Sequence, residues 1–281
     1  MKNMLEKITE SLYAHTQGKT IGNVGLIATR KGNFVIDTSM FPKMVREIRT
    51  EVEGIGTGKV AAAIWTHYHL DHSGGSQVFH DVPVYAHRAA ANNYNTNYPT
   101  EKLAEMLSNQ PDDRKALMEG LVHTKPTKVY ETTPYYIDEN DSIVIHKVGG
   151  HTNGSVLIHY LEENAVFAGD DLMTGIYPWG GDPSASPYDW VNAMNKLLEL
   201  KPKIIIPGHG PVMHDLKTVE IFKTYFNKVI DLGEKLIKEN AEEGTALEQL
   251  NGIGDLDSGK QIERKENTLK HMYNVMISKN T

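Results

Sequence analysis

The stretch Val60–Trp65 (VAAAIW) is too short and too apolar for a surface helix, and it reads as a buried strand. It runs directly into Thr66-His67-Tyr68-His69-Leu70-Asp71-His72-Ser73-Gly74-Gly75. No other feature constrains the chain as strongly. A buried strand that ends in three histidines and an aspartate needs a sheet edge where polar groups can converge. Alternate residues of an extended loop point the same way, so His67 and His69 can chelate one ion. Asp71 and His72 then fall on another side and can serve a second. Imidazole and carboxylate suit zinc, and also iron or manganese. The small residues Ser73-Gly74-Gly75 let the backbone turn tightly beside these groups.

Three more polar clusters have the same context, each at the end of an apolar strand. Val148–Ser155 (VGGHTNGS) presents His151 among glycines. Ala165–Asp171 (AVFAGDD) ends in Asp170 and Asp171. Ile204–Pro211 (IIIPGHGP) places His209 in a Pro/Gly turn. Taken singly, each is compatible with an ordinary turn or cap residue. Taken together, four strand-end clusters on a rigid sheet make a metal site the better reading.

The rest of the chain alternates short strands with helices. Gly22–Thr29 and Asn33–Thr38 read as a hairpin, and Pro42–Glu53 as a helix with apolar residues at helical spacing. Val82–Ala86, Ser142–Val148, Ser155–Tyr160, Ala165–Ala168 and Lys203–Ile206 read as strands, and Tyr188–Leu200 as a helix. The segment 89–125 breaks the rhythm. It is rich in Asn, Tyr, Glu and Lys, with a helical stretch broken at Pro111. It reads as an insertion, either covering a cleft or forming a solvated excursion. From Asp215 the chain reads as helical to its end, apart from a loop at Gly252–Lys260. No shift in composition marks a boundary, so 1–281 reads as one domain.

Composition excludes several classes. The 281 residues include no cysteine, which removes disulfides, thiolate ligands and a cysteine nucleophile together. With 29 Lys+Arg against 36 Asp+Glu the net charge is −7, which argues against a nucleic-acid backbone as partner. No apolar run approaches the roughly 18 residues of a membrane span, and the first residues lack a signal-peptide core. The expectation is a cytoplasmic protein that acts on a small molecule, with no nucleic acid and no membrane.

The series HxHxDH, GGHTxGS, a strand ending in GD, and PGHGP resembles the metallo-β-lactamase superfamily, over about Gly22–Pro211. The resemblance implies an α/β fold, a four-layer αββα sandwich of two mixed sheets, here with the helical insertion at about 89–125 and a helical C-terminal part at about 215–281. It implies two divalent metal ions, zinc first, with iron or manganese as alternatives. One ion would take His67, His69 and His151, the other Asp71, His72 and His209, with Asp170 between them. Dimers are common in the superfamily, so a homodimer is implied as well. The zinc β-lactamases best known in it use a cysteine ligand or lack the bridging Asp. This chain has neither departure, and so resembles the general hydrolase branch of glyoxalase II-like thioesterases and lactonases. His69 stands where the flavodiiron branch carries Glu.

The expected activity is that of a dinuclear metallo-hydrolase, whose bridging hydroxide attacks an ester, thioester, lactone or amide carbonyl. Asp71 is the expected catalytic group that orients the hydroxide and moves its proton. Tyr177 is a second candidate, as an aromatic wall or a phenol aimed at the oxyanion. Tyr68 could face the cleft, Trp179 reads as packing, and Asp171 as an acceptor for a ligand histidine. Asp182 and Asp189 read as turn and cap residues. Three alternatives stay open: a persulfide dioxygenase with a single iron, a phosphodiesterase drawing cations from Arg114, Lys125 and Lys128, and a non-catalytic metal-binding scaffold.

Overall fold

The computed structural model describes residues 3–137, 142–254, 256 and 261–280. Two sheets face each other. The first has seven strands in chain order: β1 (Glu6–Lys7), β2 (Leu12–His15), β3 (Val24–Thr29), β4 (Gly32–Ile36), β5 (Val60–Ile64), β6 (Val84–His87) and β7 (Lys128–Tyr130). It is antiparallel from β1 to β4 and parallel from β4 to β7. The second follows the order β12-β11-β10-β9-β8, built from β8 (Tyr135–Tyr136), β9 (Ile143–Lys147), β10 (Val156–Tyr160), β11 (Ala165–Met173) and β12 (Ile204–His209). Only its β11–β12 pair is parallel.

Alternation along the strands sorts side chains into layers. Phe34, Ile36, Ala62 and Ile64 of the first sheet meet Val156, Ile158, Phe167 and Ile206 of the second in a core between the sheets. Their neighbours Val35, Ala63 and Trp65 point outward into a cluster under α1 (Pro42–Val52) and the helices α3 (Arg88–Asn97), α4 (Thr100–Ser108) and α5 (Asp112–Met118). On the far side, Leu157, Val166 and Ile205 pack beneath α6 (Pro187–Leu200), α7 (Lys217–Lys238), α8 (Glu243–Asn251) and α9 (Ile262–Asn280). Truncating one of these buried aliphatic side chains to alanine costs about 2–5 kcal/mol. The result is the expected αββα layering.

The structure differs from the sequence reading in instructive places. β1, β2, β7 and β8 were not expected, since they are short and mix polar with apolar residues. β11 runs past Ala168 to Met173, carrying Asp170 and Asp171 inside a strand rather than after it. The register with β12 shifts between Phe167 and Gly169 and again before Met173, which bends the strand where the carboxylates lie. Most of the expected loop at Gly252–Lys260 lies outside the described residues.

Candidate metal centre

Each of the four clusters reaches one end of the sandwich, between the sheets. β5 delivers the loop with His67 and His69, and the one-turn helix α2 (Leu70–Ser73) carries Asp71 and His72. The β9–β10 turn supplies His151, β11 supplies Asp170, and His209 closes β12. The backbone comes unusually close to these groups. A Cβ at Gly208 would stand 1.9 Å from Asp170 Oδ1, and one at Gly22 would stand 2.6 Å from the His72 ring, so both positions require glycine.

The hydrogen bonds fix which nitrogen of each ring faces inward. His151 Nδ1 donates to the Trp179 carbonyl at 2.8 Å, leaving Nε2 as an acceptor. His69 Nε2 lies 3.0 Å from Asp182 Oδ2 and donates to it, leaving Nδ1 as an acceptor. Those two acceptor nitrogens are 2.8 Å apart. The buried Nε2 of His67 has no hydrogen-bond partner among the described residues. His72 Nδ1 donates to Asp37 Oδ2 at 2.8 Å, which turns its Nε2 toward Asp170 Oδ1 at 3.1 Å. His209 Nε2 is 3.3 Å from both Asp71 Oδ2 and Asp170 Oδ2.

Lone pairs that face one another in a buried site repel unless a cation lies between them. Three groups satisfy this requirement geometrically: His67, His69 and His151; His67, His72 and Asp170; and Asp71, His72 and His209. The donor set is nitrogen and oxygen only, which suits a borderline divalent ion. The electrostatics agree. Burial pushes His151 down to about 3 and His67 well below the usual range, so both stay neutral and free to ligate. Burial opposes protonation of His209, yet Asp170 and Asp71 raise it to about 9. A positive charge is therefore favoured where the carboxylates meet.

A cleft of about 750 Å³ opens onto His69, Asp71, Asp170 and His209. Tyr98, Met106 and Arg114 line it from the 89–125 segment. Trp179, Arg264 and Met40 are also among the lining residues.

The sequence model of the metallo-beta-lactamase superfamily matches residues 18–209. The chain belongs to that superfamily. The acyl-coenzyme A thioesterase MBLAC2 of Gallus gallus is 24% identical over 222 residues, covering 73% of this chain and 78% of the relative. The metallo-beta-lactamase type 2 of Bacillus cereus is 22% identical over 218 residues, covering 74% and 77%. A metallo-beta-lactamase family protein of known structure from Thermus thermophilus superposes with a TM-score of 0.66 at 16% identity, covering 96% of this chain and 94% of that one. Both of these named relatives, the thioesterase and the type 2 lactamase, are hydrolases of the superfamily.

Within this metallo-β-lactamase fold, some candidate residues stand elsewhere than expected. Tyr177 does not reach the cleft. It is buried among the C-terminal helices, where its hydroxyl pairs with that of Tyr225. Trp179, expected to be packing, instead lines the cleft and holds His151 through its carbonyl. Asp171 accepts from the His151 backbone N–H at 2.8 Å, so it fixes the loop rather than a ring. Tyr68 is buried, with its hydroxyl on Asp182. Asp189 lies in the first turn of α6, but Ser186 is the cap, accepting from the Asp189 N–H. Asp182 is more than the expected turn residue. It accepts from Ser184 and also orients His69. Asp37 belongs to no motif in the sequence, but it is a carboxylate directly after an apolar strand, the context it shares with Asp170. It sits at φ 60° and binds Thr66 N at 2.7 Å as well as His72. Among the described residues, no helix is long and apolar enough to cross a membrane.

Proposed function

We propose that this chain is a dinuclear metal-dependent hydrolase of small acyl esters or thioesters. The observation that carries the reading is the pair of facing acceptor nitrogens, His69 Nδ1 and His151 Nε2, beside the unpartnered His67 Nε2. His67, His69 and His151 would hold one ion, and Asp71, His72 and His209 the other, with Asp170 between them. When bound, two divalent ions, zinc foremost, supply a nucleophilic hydroxide at neutral pH and polarise the carbonyl oxygen.

The chain's own residues do the rest. Asp71 lies partly exposed in the cleft, held as a carboxylate despite burial by His72 and His209. It is therefore placed to take a proton from the attacking water and pass it to the leaving group. Asp37, Asp182 and the Trp179 carbonyl keep three imidazoles in the required orientation. Tyr98 and Trp179 line the cleft and give the substrate aromatic surface beside the carbonyl. The thioesterase relative supports an acyl thioester as the first substrate to try.

Elemental mass spectrometry of the purified protein, followed by a panel of thioesters, esters, lactones and β-lactams, tests the reading. Two zinc, manganese or iron ions per chain with turnover of thioesters or esters is the expected result. A single iron per chain with oxygen uptake on a persulfide, and no hydrolysis, would overturn it in favour of a dioxygenase.

A further inference from the structure

One wall of the cleft carries a cation that the metal chemistry does not use. Arg264 lies in the first turn of α9, outside the segment matched by the family model, yet its side chain lines the same cleft as Asp170 and His209. The guanidinium is held along one edge. Nε donates to the Tyr177 carbonyl at 2.6 Å, and Nη2 rests 3.8 Å from the Met173 sulfur. Its Nη1 has no partner, and the side chain makes no ion pair, among the described residues. Half-buried charges are normally paired, because desolvation is otherwise uncompensated. Burial does lower this group from its usual value, and the charges acting against that are Asp170 and Asp71.

Those two carboxylates are the ones the metal ions would neutralise. With ions in place, their four positive charges are met by Asp71, Asp170, the hydroxide, and Asp182 and Asp37 behind the imidazoles, so the cations left facing the cleft are those of its walls, Arg264 first. Arg114, which also lines the cleft, is exposed and rests 3.9 Å from the Met40 sulfur. Two guanidiniums lining one cleft, in a chain of net charge −7, mark it out as a place for an anionic group. Apolar side chains line the same cleft: Ile21, Met40, Leu70, Met106 and Tyr98.

We propose that Arg264 is a specificity-determining residue that takes an anionic group of the substrate, a carboxylate or a phosphate, while the apolar part of the same ester or thioester lies against Met40, Met106 and Tyr98. The planar fork, fixed at Nε, leaves its other edge open for two parallel bonds to such a group. This rests on the hydrolase reading above.

The test uses the metal-loaded protein and thioesters of one acyl chain on three thiols: neutral N-acetylcysteamine, 3-mercaptopropionate and 4′-phosphopantetheine. The native protein is expected to favour the anionic thioesters in kcat/KM by about tenfold or more, and Arg264→Gln to lose about ten- to hundredfold on them while leaving the neutral one within about twofold. The preferred anion, carboxylate or phosphate, identifies the group. Arg264→Lys, which keeps the charge without the fork, should retain part of the preference. Equal turnover of all three by the native protein overturns the proposal, as does an equal loss on all three in Arg264→Gln at unchanged Tm and metal content. If no thioester is hydrolysed, the hydrolase reading fails separately, and calorimetric titration with octanoate and octyl phosphate still decides. At least tenfold weaker binding to Arg264→Gln supports anion recognition, and unchanged binding overturns it.

Discussion

Asp182 Oδ2 lies 3.0 Å from Nε2 of His69 and also receives the Tyr68 hydroxyl, so one buried carboxylate sets the ring orientation of a candidate ligand. Its hydrogen bonds to His69, Ser184 and Tyr68 outweigh burial and hold it well below the usual carboxylate range. Asp182→Asn keeps the shape but removes the charge that favours an Nε2–H on His69. The expected outcome is a loss of about 10–100-fold in metal affinity or activity, read by competition with a chromophoric chelator. Tyr68→Phe should have a smaller effect in the same direction.

Asp71 separates rate from metal binding. His72 and His209 remain for the second ion when this carboxylate is changed. Asp71→Asn or Asp71→Ala is expected to lower kcat by about 10²-fold or more with a much smaller change in metal content. Steady-state kinetics and elemental analysis on the same sample check it. Full activity with both ions retained would remove Asp71 from the chemistry.

Tyr177→Phe should be almost silent in kinetics. The hydroxyl is buried against Tyr225 and far from solvent, and burial raises it well above the usual phenol range. The expected change is a stability loss of about 1 kcal/mol by denaturant titration, with kcat/KM within about twofold.

His146 on β9 provides a pH signature away from the metal centre. Burial, reinforced by Lys196 and His159, pushes it down to about 4. In the unfolded chain a histidine titrates near about 6.5. Between these values the unfolded state binds a proton that the folded state refuses, so stability is lost as pH falls through the window of about 6.5 to 4. His146→Gln lacks that titration. From pH 7 to 4.5 the native Tm should fall by about 1–2 °C more than the variant's, a small figure because the ring is partly solvated. Calorimetric scans of both proteins across that range are the check.

The sequence exposed those parts of the site whose chemistry is local. His67, His69, Asp71 and His72 stand within one loop, and His151, Asp170 and His209 each follow an apolar run. The buried strands were equally legible, because Val156-Leu157-Ile158 and Ile204-Ile205-Ile206 are apolar on both faces, while their four-layer arrangement was implied only by the family resemblance. Partners brought in by tertiary geometry were not visible. Asp182 looks like any aspartate in a Gly/Pro turn until His69 is seen beside it. Arg264 belongs to a helix whose sequence carries no hint of a cleft. Tyr177 and Trp179 are two residues apart, and which one faces the cleft depends on how the segment packs against Tyr225 and His151. Periodicity does not encode that choice.

His67, His69, Asp71 and His72 hang from the seven-stranded sheet, whereas His151, Asp170 and His209 hang from the five-stranded one. Ions held between them would cross-link the two halves of the sandwich at its open end. The sheets would then be obliged to unfold as one cooperative unit, since neither can come apart without releasing the ions. Stripped of them, the facing imidazoles and carboxylates become a repelling seam at that end, and the core between the sheets alone holds the two halves together.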